Sequence, residues 1–385
     1  MRLLFVTQYD PYNPAAGGPS FKVRALSHHM SRLGHSVTIL TASMRECVNN
    51  ADKSYIEEKD GLIHIIRLRT LFRYRSTTVN PAVGVVALRE APRADVIHLF
   101  GFYDFMAPVV ARVARANDIP YILEPMGMLL PIVRSLGKKR LYHIWLGQSV
   151  IADASKVIAT APQEREELIE AGVSFDNISV RRNGIDLDAF VSLPKRGTLR
   201  QRLGIAPEKR LVLYLGLISR KKNPELLLRA FANIDSPDVH LVIAGPDAEG
   251  CLEELRGLRD LLGLQLRVVF PGPLYGEDKL AALVDADVFV LPSKNENFGN
   301  VIAESIAAGT PVVISDKCGI APYVQDKAGL VVPLSQDAVS NALSRLLFNP
   351  ELYQRLKDGC THVARDLSWD EPVAQLHDLY RSLLS

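Results

Sequence analysis

The feature that most constrains this chain is an alternation that runs, breaks off and starts again. In the first half, short β-rich runs (LLFVTQ, SVTILTA, LIHIIRL, DVIHLF, PYILE, KVIATA and ISVRR) are separated by helix-like stretches at 19–33, 104–117, 139–153 and 162–171. Buried strands alternating with amphipathic helices predict a parallel sheet covered on both faces. The pattern restarts at LVLYLG (211–216) and continues through HLVIAG, RVVFPG, DVFVLPS, PVVIS and GLVVP. Between the two series, NGIDLDAFVSLPKRGTLRQRLGI mixes turn residues, charge and proline, the composition of a linker. The expected architecture is therefore α/β, with two Rossmann-like doubly wound domains facing across a cleft. The first spans 1–190, the second 191–365, and a terminal helix over 366–385 packs across both and crosses back to the first.

At 385 residues and 48% hydrophobic, the chain can bury two cores. Cys47, Cys251, Cys318 and Cys360 lie far apart with no metal-ligand or disulfide spacing, which predicts a reducing, cytoplasmic setting and no metal centre. The apolar run in MRLLFVTQYD turns polar too soon for a signal peptide, and no stretch approaches a membrane span. A net charge of +2 is too small to imply nucleic-acid binding. Its distribution is uneven: between His64 and Arg140 there are 12 Lys/Arg against 5 Asp/Glu, concentrated in RLRTLFRYR (67–75) and RSLGKKR (134–140). Such clusters are either solvated faces or contacts for anionic lipid on the cytoplasmic side of a membrane or for a phosphorylated acceptor.

Open α/β sheets bind ligands outside the carboxyl ends of their strands, so the informative segments are those that follow strands. After DVFVLP comes SKNENFGNVIAESIAAGTPVVIS, with Glu296 in a loop and Gly299 permitting a tight turn into a helix at about Asn300. That helix start offers unpaired N–H groups and a positive dipole end, which favour phosphate. Glu304 follows about one turn later. Carboxylates on either side of a phosphate-binding helix start suit a ligand with hydroxyls flanking a diphosphate. At the other informative strand end, Arg220, Lys221 and Lys222 stand between LVLYLG and a helix, where cations would neutralise a diphosphate.

Pro292, Ser293, Glu296, Phe298, Gly299, Glu304 and Gly309-Thr310-Pro311 together resemble the E-x7-E signature of family 4 retaining glycosyltransferases of the GT-B fold, of the bacterial surface-glycan type. The resemblance continues through Gly17-Gly18, ADVIH (94–98), Pro125-Met126-Gly127-Met128-Leu129, Asn183-Gly184-Ile185-Asp186, Ala244-Gly245-Pro246, Ala286-Asp287 and Ser368-Trp369. It implies that Glu296 holds the donor sugar, Glu304 the ribose and Lys222 the diphosphate. Backbone amides at Phe298, Gly299 and Asn300 would bind sugar and phosphates, and the Gly17-Gly18 loop would approach the diphosphate. Three positions depart from the family pattern. Leu217 stands where many members carry Arg, with Arg220 the candidate replacement cation; Phe100 and Met126 stand where many have His. His98 reads as a structural histidine at a strand end, and Glu124 is a candidate to face the acceptor.

The implied reaction moves a hexose-type unit from a nucleoside diphosphate sugar to a hydroxyl acceptor with retention, without metal or cofactor. The departing phosphate takes the acceptor proton. The acceptor is a lipid-linked glycan, a surface polysaccharide or a small metabolite, in polysaccharide or glycolipid biosynthesis. Two alternatives compete: a nucleotide-sugar epimerase on a similar scaffold, and a non-catalytic partner subunit that keeps the fold.

Overall fold

The computed structural model describes residues 1–13, 17–42, 54–74, 77–129 and 142–384. Cys47, Arg75, the basic run of Arg134, Lys138, Lys139 and Arg140, and the first residues of the helix expected over 139–153 lie outside the described residues. The chain divides into two compact units, Met1–Asn183 together with Trp369–Ser385, and Gly184–Ser368. The division thus falls earlier than the expected 190/191. The reason is local: Ile185 N donates to Leu367 O at 2.8 Å and Ile185 bridges Ser368, so the NGID segment is stitched onto the end of the second unit.

The first unit is built on an eight-stranded sheet of β1 (Arg2–Thr7), β2 (Ser36–Ala42), β3 (Tyr55–Asp60), β4 (Ile63–Leu68), β7 (Val96–Phe100), β8 (Tyr121–Glu124), β9 (Lys156–Ala159) and β10 (Ile178–Val180). Their order is β10-β9-β8-β7-β1-β2-β4-β3, with a separate hairpin of β5 (Phe72–Tyr74) and β6 (Thr77–Val79). Alternation along β1 explains its apolar run. Leu4 and Val6 join one core with Leu40, Ile97 and Leu99; Leu3 and Phe5 join another with Val37, Ile39 and Val96. The second of these cores is covered by the helices Gly18–Arg32 and Asp370–Ser382, the latter contributing Val373, Leu376 and Tyr380.

The sheet is not wholly parallel. β3 pairs antiparallel with β4, and its residues Glu57 to Asp60 are exposed. A charged edge strand of this kind lacks the buried alternation by which the other strands are legible.

The second unit holds a six-stranded, all-parallel sheet of β11 (Arg210–Leu215), β12 (Val239–Ala244), β13 (Val268–Gly272), β14 (Val288–Leu291), β15 (Val312–Ser315) and β16 (Gly329–Val332). Strand order is β13-β12-β11-β14-β15-β16. Both sheets reverse their winding next to their first strand, at β1/β7 in the first unit and β11/β14 in the second. Such switch points leave a crevice between the two outgoing loops.

Candidate active site

At the β11/β14 switch point the two outgoing loops carry the residues singled out by sequence. Loop 216–223 leaves β11 and is held by the buried Tyr214, whose hydroxyl donates to Leu217 O at 2.7 Å. It ends at Asn223, whose left-handed backbone (φ 58°) feeds Pro224 into the helix Pro224–Ala232. Loop 292–299 leaves β14. It is tied to its neighbour by Lys294 N donating to Lys221 O (2.8 Å) and clamped from behind by residues 317–320. There Glu296 N donates to Lys317 O (2.9 Å), Gly319 N to Glu296 O (2.8 Å) and Ile320 N to Phe298 O (3.1 Å). The Phe298 ring is buried in the core. Gly299 then caps the helix Asn300–Ala307 with φ 98° and ψ 61°. The backbone conformation favours glycine, and a β-carbon there would lie 2.5 Å from Ile302 Cδ1, the mobile end of that side chain.

These anchored loops and the helices Gly276–Asp285 and Asn300–Ala307 bring two carboxylates and two ammonium groups to one edge. The Lys222 ammonium donates to Glu296, both side chains being about one-sixth exposed. Lys279 Nζ donates to Glu304 Oε1 at 2.6 Å, again with both partners largely but not wholly covered. Each glutamate is thus neutralised by one lysine while part of it still meets solvent. Hydroxyls could take over the glutamates and phosphate the lysines without leaving a buried charge unpaired.

Lys222, Glu296, Phe298, Gly299, Asn300 and Glu304 are gathered at this edge. Arg220 is not: its guanidinium turns outward to the exposed Glu254 (3.1 Å), and its backbone N–H donates to Glu249 Oε2 (3.0 Å). The Leu217 side chain is half exposed. Gly17 and Gly18 belong to the first unit, where Gly17 (φ 74°) caps the helix Gly18–Arg32 that follows β1. Sequence reasoning missed Lys279. It sits in the first turns of the helix Gly276–Asp285, in a segment with no motif, and only the fold sets it against Glu304.

The first unit's carboxyl edge contains a second cluster that sequence reading misplaced. Glu124 does not face outward. It is fully buried beneath the Lys22 ammonium, Arg181 (2.8 and 3.0 Å) and His98 Nε2 (3.3 Å). His98 Nδ1 lies 2.7 Å from the buried Tyr380 hydroxyl, which accords with its structural reading. Burial lowers His98 to about 4 and Lys22 to about 8, outweighing the neighbouring carboxylate in both. Burial alone would raise Glu124, but Arg181 and Lys22 hold it far below the usual carboxylate range. Arg67, in the first basic run, is also committed internally, to Asp10 (2.9 Å) and Glu58 (2.6 Å).

Comparison with known proteins places these two edges in context. The family described as Glycosyl transferases group 1 matches residues 195–361, and Glycosyl transferase 4-like domain matches 17–184. A D-inositol 3-phosphate glycosyltransferase of Xylanimonas cellulosilytica is 32% identical over 408 residues, covering 96% of this chain and 93% of its own. Proteins of the same name from Streptomyces bingchenggensis and Thermomonospora curvata are 31% and 36% identical, over 60% and 65% of this chain. Those two matches span only 54% and 60% of the relatives' own length. Among solved structures, sucrose-phosphate synthase from Thermosynechococcus elongatus superposes with a TM-score of 0.76 at 24% identity, covering 99% of this chain and 98% of that one. Anabaena HepE, solved with UDP and glucose, gives 0.79 at 20% identity over 99% and 100%. At these identities the likeness is one of fold.

Proposed function

The chain belongs to the family 4 glycosyltransferases of the GT-B fold, and from that premise we propose that it transfers a hexose from a nucleoside diphosphate sugar to a hydroxyl acceptor with retention. The observation that carries this reading is the pair of lysine-neutralised glutamates, Glu296 with Lys222 and Glu304 with Lys279, on either side of a glycine-capped helix start. Glu296 takes the sugar hydroxyls, Glu304 the ribose, and Lys222 the diphosphate. Backbone amides around Phe298, Gly299 and Asn300 add fixed dipoles where charge grows on the leaving group. The bond from the anomeric carbon to the phosphate oxygen breaks, the bond to the acceptor oxygen forms on the same face, and the acceptor proton passes to the departing phosphate. Lys222 and the helix start supply the electrostatic stabilisation, so a metal is not required. Arg220, paired with Glu254, acts at most at the rim.

The first unit takes the acceptor, a glycan, a lipid-linked sugar or a small polyol. It also rests on the cytoplasmic face of an anionic membrane, as part of polysaccharide or glycolipid synthesis. Leu71, Phe72, Phe105 and Trp145 are exposed on neighbouring segments joined by Thr77 Oγ1 to Tyr103 O (3.0 Å) and Tyr142 to Asp104 O (2.6 Å). UDP-glucose is the first donor to test, because the HepE structure holds UDP and glucose, and inositol phosphate the first acceptor, because of the relatives' names. Release of UDP that depends on acceptor, with an α-linked product by NMR from UDP-glucose, is the expected result. An inverted product would overturn retention, and failure of every nucleotide sugar to stabilise the protein would overturn the donor reading.

A further inference from the structure

The first unit has a switch point of its own, between β1 and β7, and donor chemistry does not use the side chains that meet there. Gln8 follows β1 and Gly101 follows β7. The Gln8 carboxamide reaches towards the β7 side. A β-carbon placed on Gly101 would lie 3.9 Å from Gln8 Nε2, from Met126 Cε and from Met128 Sδ alike. Gln8 is 4% exposed, yet neither Oε1 nor Nε2 has a hydrogen-bond partner among the described residues. A buried amide unsatisfied at both ends weakens a fold, so its presence calls for a partner. The nearby ionic cluster does not provide one, since Lys22, Arg181 and His98 all converge on Glu124. The walls are backbone held in the left-handed region, at Gly101 (φ 97°) and at Met126 (φ 54°), where side-chain-bearing residues are uncommon.

A primary amide presents an acceptor and a donor on one edge, and so matches two adjacent hydroxyls, one donating to Oε1 and one accepting from Nε2. It carries no charge and gives an ion no advantage. The two thioethers offer adaptable apolar contact for the C–H face of a ring. We propose that Gln8 is the specificity-determining residue that reads a vicinal diol of a cyclic polyol or sugar acceptor at the β1/β7 switch point, with Met126 and Met128 against the ring. This assignment rests on the transferase reading for the word acceptor, but not for the binding itself.

Binding is therefore measured directly on the full chain without donor, by thermal shift and saturation-transfer NMR. The probe is myo-inositol, and cyclohexanol is the control that lacks the diol. Myo-inositol is expected to raise the wild-type Tm and cyclohexanol to leave it unchanged. Gln8→Met removes both amide atoms at similar length. It is expected to melt no lower than wild type and to bind myo-inositol about tenfold more weakly, the loss of two neutral hydrogen bonds. Gln8→Glu, which keeps an acceptor but loses the donor, is the second variant should the first not fold, and is expected to weaken binding too. Equal affinity in wild type and variant, or no diol-dependent shift in wild type, would overturn the proposal. UDP binding and transfer assayed on the same preparations report separately: diol binding that persists without any transfer counts against the transferase reading and leaves Gln8 standing.

Discussion

Glu296 and Glu304 stand on one short stretch of chain, yet each holds a different lysine, and this decides what each substitution removes. If Glu296 holds the sugar as proposed, Glu296→Ala removes that contact and frees Lys222, so turnover should fall steeply while calorimetry should find UDP bound about as well as before. If Glu304 holds the ribose as proposed, Glu304→Ala should weaken UDP binding by about 1.5–3 kcal/mol, the range for hydrogen bonds to a charged group. Lys222→Ala should lower kcat and kcat/KM together, since its charge matters most as the diphosphate departs. UDP binding abolished by Glu296→Ala but normal in Glu304→Ala would reverse these assignments. Gly299→Ala is a test of backbone rather than charge. With φ at 98°, where a side-chain-bearing residue is strained, it should cost roughly 1–3 kcal/mol in urea unfolding as well as activity. The two glutamates and the glycine were legible because spacing along one loop and helix is itself sequence. Lys279 and the pairing of Glu124 with Lys22, Arg181 and His98 were not, because those contacts join distant segments and spacing along the chain does not encode them.

The terminal helix Asp370–Ser382, expected from sequence to cross back to the first domain, is part of the first unit's core. Trp369, Val373, Leu376 and Tyr380 are buried on the first unit's sheet, each large side chain contributing about 1.5–3 kcal/mol. Their sum rivals the ~5–15 kcal/mol that holds an ordinary domain together. A chain ending at Ser368, the last residue of the second unit, should therefore give a first unit that aggregates or binds ANS, while the second unit's strands keep their amide protection. The helix also supplies the hydroxyl opposite His98, which makes a pH test available. His98 is held near 4 against an ordinary 6.5, so the unfolded chain takes the proton first as pH falls. The stability its neutral form allows is complete above about 6.5 and is lost progressively towards 4. His98→Gln keeps a polar group facing Tyr380 but cannot titrate. Its deficit relative to wild type, measured by urea unfolding, should shrink by about 2–3 kcal/mol between pH 7 and pH 4. Asp104, which burial raises to about 6, titrates in both proteins and cancels in that difference. A constant deficit would mean that folding leaves the proton affinity of His98 unchanged. Central strands were readable because they are apolar on both faces; β3 and the β5–β6 hairpin were not, since exposed, short or charged edges leave no buried period.

At the scale of the whole molecule, two restarted alternations were enough to read two doubly wound units, while the position of their division depended on backbone bonds that spacing does not encode, such as Ile185 to Leu367. The same scale sets two expectations about the reaction's surroundings. With leaving-group charge met by Lys222 and a helix start, transfer should survive EDTA; loss of activity restored by Mn²⁺ or Mg²⁺ would assign that charge to a metal instead. Membrane affinity is the other. Among the described residues no helix is long and apolar enough to cross a bilayer, so any attachment through them is by surface contact. Arg67 is spent on Asp10 and Glu58, which leaves the first basic run weaker than its composition suggests. Insertion must then come chiefly from Leu71, Phe72, Phe105 and Trp145, which are 63%, 61%, 43% and 77% exposed. Basic side chains near the surface add about 1 kcal/mol each against anionic lipid. These two contributions separate experimentally, because salt screens charge and leaves apolar burial intact. Sedimentation with phosphatidylserine vesicles should fall as salt rises but not vanish, whereas Phe72→Ser with Trp145→Ser should abolish the salt-resistant remainder. Neutralising Arg134, Lys138, Lys139 and Arg140 should remove the salt-sensitive part. Binding absent at low salt, or unchanged in both sets of variants, would leave the protein free of the membrane and require a water-borne acceptor.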